Sequence, residues 1–191
     1  MMNNAITAIR ASVVFILLCG IGYPLLCTGL AQLFMPHQAN GSLVLNAEGK
    51  VTGSALIGQH YDDPSYFQGR VSSIDYNGAG SGSNNYGPSN PEMLRRTTDS
   101  IEAWKKANPD VPISELPIAL VTNSGSGLDP HITPASAEVQ IPRISKLTGI
   151  SQEQLHDLVK QYTEGRDLGI FGEPRVHVLE LNLALKQLLT K

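Results

Sequence analysis

The stretch ASVVFILLCGIGYPLLCTGLAQLFM, Ala11 to Met35, holds 25 positions without a charged side chain, and no charge appears between Arg10 and Glu48. As a helix rising about 1.5 Å per residue it would be about 37 Å long, enough to cross a hydrocarbon core of about 30 Å. The chain around it is ordinary polar protein. This segment predicts an α+β protein in two parts: a single N-terminal transmembrane helix followed by one compact mixed α/β extracytoplasmic domain. The expected divisions are a cytoplasmic head over 1–10, the transmembrane helix over 11–35 and the extracytoplasmic domain over 36–191.

Read as residues alone, the run has two fates. A secretory signal peptide needs a basic start, a short apolar core and a small-residue cut site. Arg10, Pro24 and Gly29-Leu30-Ala31 supply these, and cleavage would release a stand-alone periplasmic binding protein. Against a cut, Leu33, Phe34 and Met35 prolong the apolar run beyond it. Both Cys19 and Cys27 follow leucine, which argues against a lipoprotein. Either fate exports the rest of the chain, because the head carries Arg10 and no acid and tends to stay inside. Both cysteines lie in the run, so the exported part has neither a disulfide framework nor thiolate metal sites.

The run also carries a packing signal. Gly22 and Gly29 stand seven residues apart on one helix face, with Gln32 close to the same side. Small residues let another helix approach closely in lipid, and an amide can bond across the contact. Pro24 removes a backbone donor and predicts a kink. The plain alternative is that glycine and proline are common in membrane helices.

Beyond Met35, 13 basic and 17 acidic groups spread without a basic cluster, so nucleic acid is not an expected partner. Ser42–Leu45 and Val51–Ile57 read as a hairpin about the Asn46-Ala47-Glu48-Gly49 turn. From Asn77 to Asn90, 11 of 14 residues are Gly, Ser or Asn, a surface loop that either floats or touches a partner. A helix follows, capped by Ser89 or Asn90, with Leu94, Ile101 and Trp104 on one face and Asn108-Pro109 as its stop. Ile118–Thr122 reads as a short buried strand. A helix from Thr133-Pro134 is expected to break near Pro142. The next is the clearest: Ser151 and Gln154 form a capping box, Leu155, Leu158, Val159 and Tyr162 its apolar face, and Gly165 its end. Val176–Val178 reads as a strand leading into a last helix with Leu181, Leu185 and Leu188 at helical spacing.

No chemistry-bearing motif is complete. The Gly-rich loop matches neither a nucleophile elbow nor a dinucleotide fingerprint, and there is no Walker-type phosphate loop. His37, His60, His131, His156 and His177 form no zinc spacing, so no metal site is expected. His131 with Asp129 and Ser124 or Ser126 is the one arrangement that could assemble a hydrolase triad in space. The densest stretch runs from Asn123 to Pro134. Its small residues Ser124, Gly125, Ser126 and Gly127 sit where a strand would turn into a helix, either as a tight structural corner or as a cradle of backbone N–H groups for an anion or a partner carbonyl.

From Ser124 to Pro134 that stretch, with Gln140-Ile141-Pro142-Arg143, resembles the C subunit of the Kdp potassium-transporting ATPases. The tail Gly169-Ile170-Phe171-Gly172-Glu173-Pro174-Arg175-Val176 followed by Val178-Leu179-Glu180-Leu181-Asn182 resembles it too. So do Tyr23-Pro24-Leu25-Leu26, Ala39-Asn40-Gly41-Ser42-Leu43, Gly53-Ser54-Ala55-Leu56-Ile57-Gly58-Gln59 and Tyr66-Phe67-Gln68-Gly69-Arg70. The likeness runs in register along nearly the whole chain. It departs at Val71, where the family often has proline, at His177, where asparagine is usual, and at Lys186, where an acid is common.

The resemblance implies a non-catalytic subunit of a four-part pump of the bacterial inner membrane, with a retained single span and no catalytic residue of its own. Its implied partners are a channel-like potassium subunit, a P-type ATPase subunit and a small single-span subunit. ATP and potassium are handled by the complex, so no firmly bound cofactor is expected. The N-terminus would be cytoplasmic and the main domain periplasmic, stabilising assembly over the channel-like subunit. The family is also described as a catalytic chaperone that raises the ATP affinity of the pump. The stretch matching its nucleotide motif is Ile150-Ser151-Gln152-Glu153-Gln154, which lacks glycine at its two central positions and makes Gln154 the nucleotide-contact candidate. Gly22, Pro24, Gly29 and Ser124–Gly127 are the candidate partner contacts.

Overall fold

The computed structural model describes residues 2–46 and 48–190. A nearly continuous helix opens the chain: α1 (Met2–Phe15), a π-helical turn (Ile16–Gly22) and α2 (Tyr23–Phe34). From Asn3 to Phe34 it is long and apolar enough to cross a membrane, and none of it is buried by protein. Ile16, Leu17, Leu18, Leu25 and Leu33 point outward all round it, each more than half exposed. A helix apolar on every side needs an apolar solvent. The predicted irregularity at Pro24 takes the form of the π turn immediately before it, where Tyr23 donates its N–H to Leu18 five residues back. Proline has no N–H to bond the preceding turn, and its ring crowds the carbonyl four residues earlier; a widened turn relieves both.

The chain divides into two units, the second beginning at Val44. The short helix α3 (Pro36–Ala39) belongs with the first. The expected hairpin is present as β1 (Leu43–Leu45) and β2 (Val51–Ser54), shorter at its far end than the sequence suggests. Ala47 of its turn lies outside the described residues; Asn46 Oδ1 accepts the N–H groups of Glu48 and Lys50 at 3.1 and 2.8 Å.

Helix α4 (Pro91–Ala107) starts where Asn90 Oδ1 accepts from the N–H groups of Glu92 and Met93. It buries Trp104, while Leu94 of the expected apolar face is 54 % exposed. Ile118–Leu120 is a 3₁₀ turn and not the expected strand. Its carbonyl at Ile118 accepts from Val121 and Thr122, so the segment satisfies its backbone locally, and Ile118 itself faces solvent at 75 % exposure.

The heart of the domain is a three-stranded antiparallel sheet in the order β3 (His131–Ile132), β5 (Arg175–His177), β4 (Thr163–Glu164). Val176 pairs with Ile132 on one side and Thr163 on the other and is fully buried. The expected break separates helices α5 (Pro134–Glu138) and α6 (Ile141–Thr148); it falls at Val139-Gln140, with Pro142 in the first turn of the second helix. The capping box is as expected on α7 (Gln152–Gln161). That helix ends three residues short of Gly165, because Thr163 leaves it to pair with Val176. Helix α8 (Val178–Leu189) follows β5 without a loop. Ile141, Ile144, Leu155, Val159, Leu181 and Leu185 form the dry core against the sheet, closed by Phe67 and Trp104.

Candidate functional site

Two buried amides organise the domain. Asn182 projects from α8 with its Oδ1 accepting the Phe67 N–H at 2.9 Å and its Nδ2 donating to the Phe67 carbonyl at 2.8 Å. Gln140 does the same one residue on, accepting the Gln68 N–H at 2.8 Å and donating to the Gln68 carbonyl at 3.1 Å. Together they hold an irregular segment in the core as two adjacent strands would, which satisfies backbone groups that would otherwise be buried unpaired.

Arg143 completes the cluster at 5 % exposure. Its guanidinium donates to Asn108 Oδ1 at 3.0 Å, to Gln140 Oε1 at 2.7 Å, and to the carbonyls of Pro64 and Tyr66. Burial pulls it down to about 10, opposed by the Asp63 charge, so it remains a cation at neutral pH. All four acceptors are neutral, and a rigid fork of donors suits such a set.

The chain then runs from Gln68 into Arg70, which binds the Asn123–Pro134 stretch. Its Nη1 donates to Asp129 Oδ2 at 3.0 Å and its Nη2 to the Asn123 carbonyl at 3.2 Å. Burial alone would raise the Asp129 carboxyl. The His131 ring, the His131 N–H at 3.0 Å and Arg70 outweigh it and hold that carboxyl at about 2.

The stretch Ser124–Gly127 is a packed corner. Ser124 N–H donates to the Val71 carbonyl, and the Ser126 carbonyl accepts from Gly82 of the Gly-rich loop. Ser126 Oγ accepts from Leu128 N–H at 3.1 Å, and Ser72 Oγ donates to the Gly127 carbonyl at 2.7 Å. Gly127 has φ +72°, and a Cβ there would lie 2.6 Å from Ile74 Cγ1. Gly125 meets nothing within 4 Å. The segment leading into the corner is the Ile118–Leu120 3₁₀ turn and not a strand, so the expected strand-to-helix cradle is not formed: helix α5 begins only at Pro134, where the Thr133 side chain occupies its cap.

The Gly-rich loop is docked and does not float. Besides Gly82, Ser83 Oγ accepts from Asn123 Nδ2 at 2.7 Å, and Arg96 of α4 lies over the Tyr86 ring.

The serine, histidine and aspartate do not assemble a triad. Ser124 is buried at 2 %, and Ser126 is engaged with Leu128. His131 lies 3.7 Å from Asp129 and packs edge-on against His177, ring centres 5.2 Å apart. Gln154 is on the exposed first turn of α7, its Oε1 accepting from the N–H and Oγ of Ser151. Gly22 closes the π turn, Pro24 is the second residue of α2, and Gly29 has open space where a Cβ would be. The structure thus leaves the candidates in three separate places along the chain.

At His177, where the resemblance leads one to expect asparagine, the side chain has two bonds to make. It caps α8, its Nδ1 accepting from Glu180 N–H at 3.3 Å, which leaves Nε2 to donate to the Ala55 carbonyl at 2.9 Å. Asparagine is among the best cap residues and would supply the first bond. Asn182, Gln140 and Arg143 were not singled out from the sequence as site residues. One signal was available: Asn182 takes a core-facing slot in the otherwise apolar spacing of Val178, Leu181 and Leu185.

Fold and site together define a mixed α/β domain carried behind a helix able to span a membrane and organised around buried amides. The chain belongs to the KdpC family: the family model described as "K+-transporting ATPase, c chain" matches residues 5–187. A protein of Bacillus cereus named as a potassium-transporting ATPase KdpC subunit is 59 % identical over 181 residues, 95 % of this chain and 94 % of the relative. A Bacillus anthracis protein of the same name is 58 % identical over the same shares.

Proposed function

We propose that this chain is the accessory subunit of an ATP-driven potassium-uptake pump, anchored by one span with its N-terminus in the cytoplasm and its domain on the periplasmic side. The observation that carries this reading is the full-length likeness to proteins named as KdpC subunits, joined to a helix able to span the membrane. The subunit takes no chemical step itself. It stabilises the assembly over the potassium-translocating subunit, and ATP is used by a partner. The engagement of Gln154 in its own helix cap supports a structural role for that residue over contact with nucleotide. The packed corner at Ser124–Gly127 supports a rigid surface over an anion cradle, and the docked Gly-rich loop beside it is the surface we assign to the neighbourhood of the ion entrance.

Gentle detergent extraction of the tagged chain from membranes is the test. Co-purification of a channel-like subunit and a P-type ATPase subunit is expected. A chain recovered alone and soluble overturns the reading, as does unaltered potassium uptake at micromolar potassium in its absence. Crosslinking of an ATP analogue to Gln154 in sealed cells would overturn the topology.

A further inference from the structure

Residues Leu168, Ile170 and Phe171 are 88, 73 and 63 % exposed and sit together at the tip of the β4–β5 hairpin. The root of this hairpin is Val176, fully buried in the core, so the tip is anchored in the packed interior of the domain. The turn itself is ordered: Asp167 and Phe171 exchange both backbone hydrogen bonds, and Ile170 N–H closes the turn on the Asp167 carbonyl. Its two central residues, Leu168 and Gly169, have φ of +54° and +75°. Such a turn favours asparagine, aspartate or glycine at the first of these positions. A leucine there is unfavourable for the backbone and unfavourable for solvation, and an outlier of both kinds at one exposed residue points to a task.

Charges ring the tip. Arg166 bonds both carboxylate oxygens of Glu173 at 3.0 Å, and Arg175 lies 2.9 Å from Glu164 and 3.5 Å from Asp167. An apolar centre within a polar rim is the anatomy of a protein interface, with an aromatic residue as its usual anchor. Within the hairpin, residues 163–175, three acids stand against two arginines with no lysine. An anionic bilayer would repel it, whereas surfaces that insert into lipid are rich in basic residues.

We infer that the Leu168–Phe171 tip is a preformed plug that inserts into an apolar pocket on the extracytoplasmic side of another protein subunit of the pump. This inference rests on the pump reading above. Its partner is a pocket with an uncharged floor and a rim that tolerates paired charges. A preorganised turn loses little freedom on binding, so its three side chains can contribute affinity directly.

The test uses the full chain in its complex, with benzoylphenylalanine in place of Phe171 and irradiation in native membranes. A crosslink to a protein subunit is expected. The triple variant L168N/I170S/F171S should lower recovery of the other subunits by about tenfold or more, the loss expected of an anchor cluster. Its own Tm should hold or rise, because asparagine suits the left-handed position. A lipid adduct, or intact recovery by the triple variant, overturns the plug. If the unsubstituted chain brings down no subunit, the pump reading falls and the plug with it; if it does and residue 171 crosslinks to nothing, only the plug falls.

Discussion

Asn182 on the last helix and Phe67 in an irregular segment 115 residues earlier are joined by two hydrogen bonds, the amide of one meeting the whole peptide edge of the other. Phe67 is fully buried, so water cannot replace either bond. Asn182→Ala should destabilise the domain by about 3 kcal/mol, since it strands a buried donor and a buried acceptor. Denaturant unfolding measures this, and a loss below the usual surface range would show that the segment finds other partners.

The corner at Ser124–Gly127 separates fold from partner contact. Gly127→Ala meets both a positive φ and Ile74 Cγ1 at 2.6 Å, and should cost about 2 kcal/mol or more. Gly125→Ala has open space and should leave the melting temperature unchanged. Loss of subunit recovery in the Gly125 variant would then report a contact made across the surface.

His177 bonds at both ring nitrogens, so its variants can be split. His177→Ala loses the cap and the bond to Ala55, and should cost about 2 kcal/mol. His177→Asn keeps the cap and loses only the Ala55 bond, and should recover about half of that. Equal losses for the two variants would show that the cap contributes nothing.

Asp129 predicts the acid limit of the domain. Its folded value of about 2 lies below the ordinary 3.8, so the folded state favours the carboxylate. The stability gained is fully present above about pH 4 and is lost as pH falls through 2. The group keeps some contact with water, so about 1–2 kcal/mol is expected. Asp129→Asn should flatten the unfolding free energy between pH 4 and 2, and Arg70→Leu should flatten part of it; an unchanged slope in Asp129→Asn would remove the carboxyl from this role.

Much of the fold was legible because local rules acted alone. The uncharged run from Ala11 needs nothing beyond its own composition, and the caps at Asn90, Thr133 and Ser151 are decided within four residues. The sequence failed where distant partners decide. Ile118–Thr122 has strand composition but meets no strand edge among the described residues, and so curls into a 3₁₀ turn. Gly165 looks like a helix stop, yet α7 ends earlier because β5 captures Thr163. The corner was visible as a cluster of small residues, but only packing shows that Gly127 is constrained and Gly125 is not.

By itself, then, the sequence determined a membrane-length helix, a mixed α/β domain and the family, because composition, periodicity and long in-register motifs are properties of neighbours along the chain. Tertiary structure alone decided that Asn182 and Gln140 act as substitute strand edges, that Asp129 is held by Arg70 and His131, and that Leu168, Ile170 and Phe171 end on an exposed tip. Each of these depends on a distance between residues far apart in sequence or on where solvent reaches, and neither quantity exists until the chain has folded.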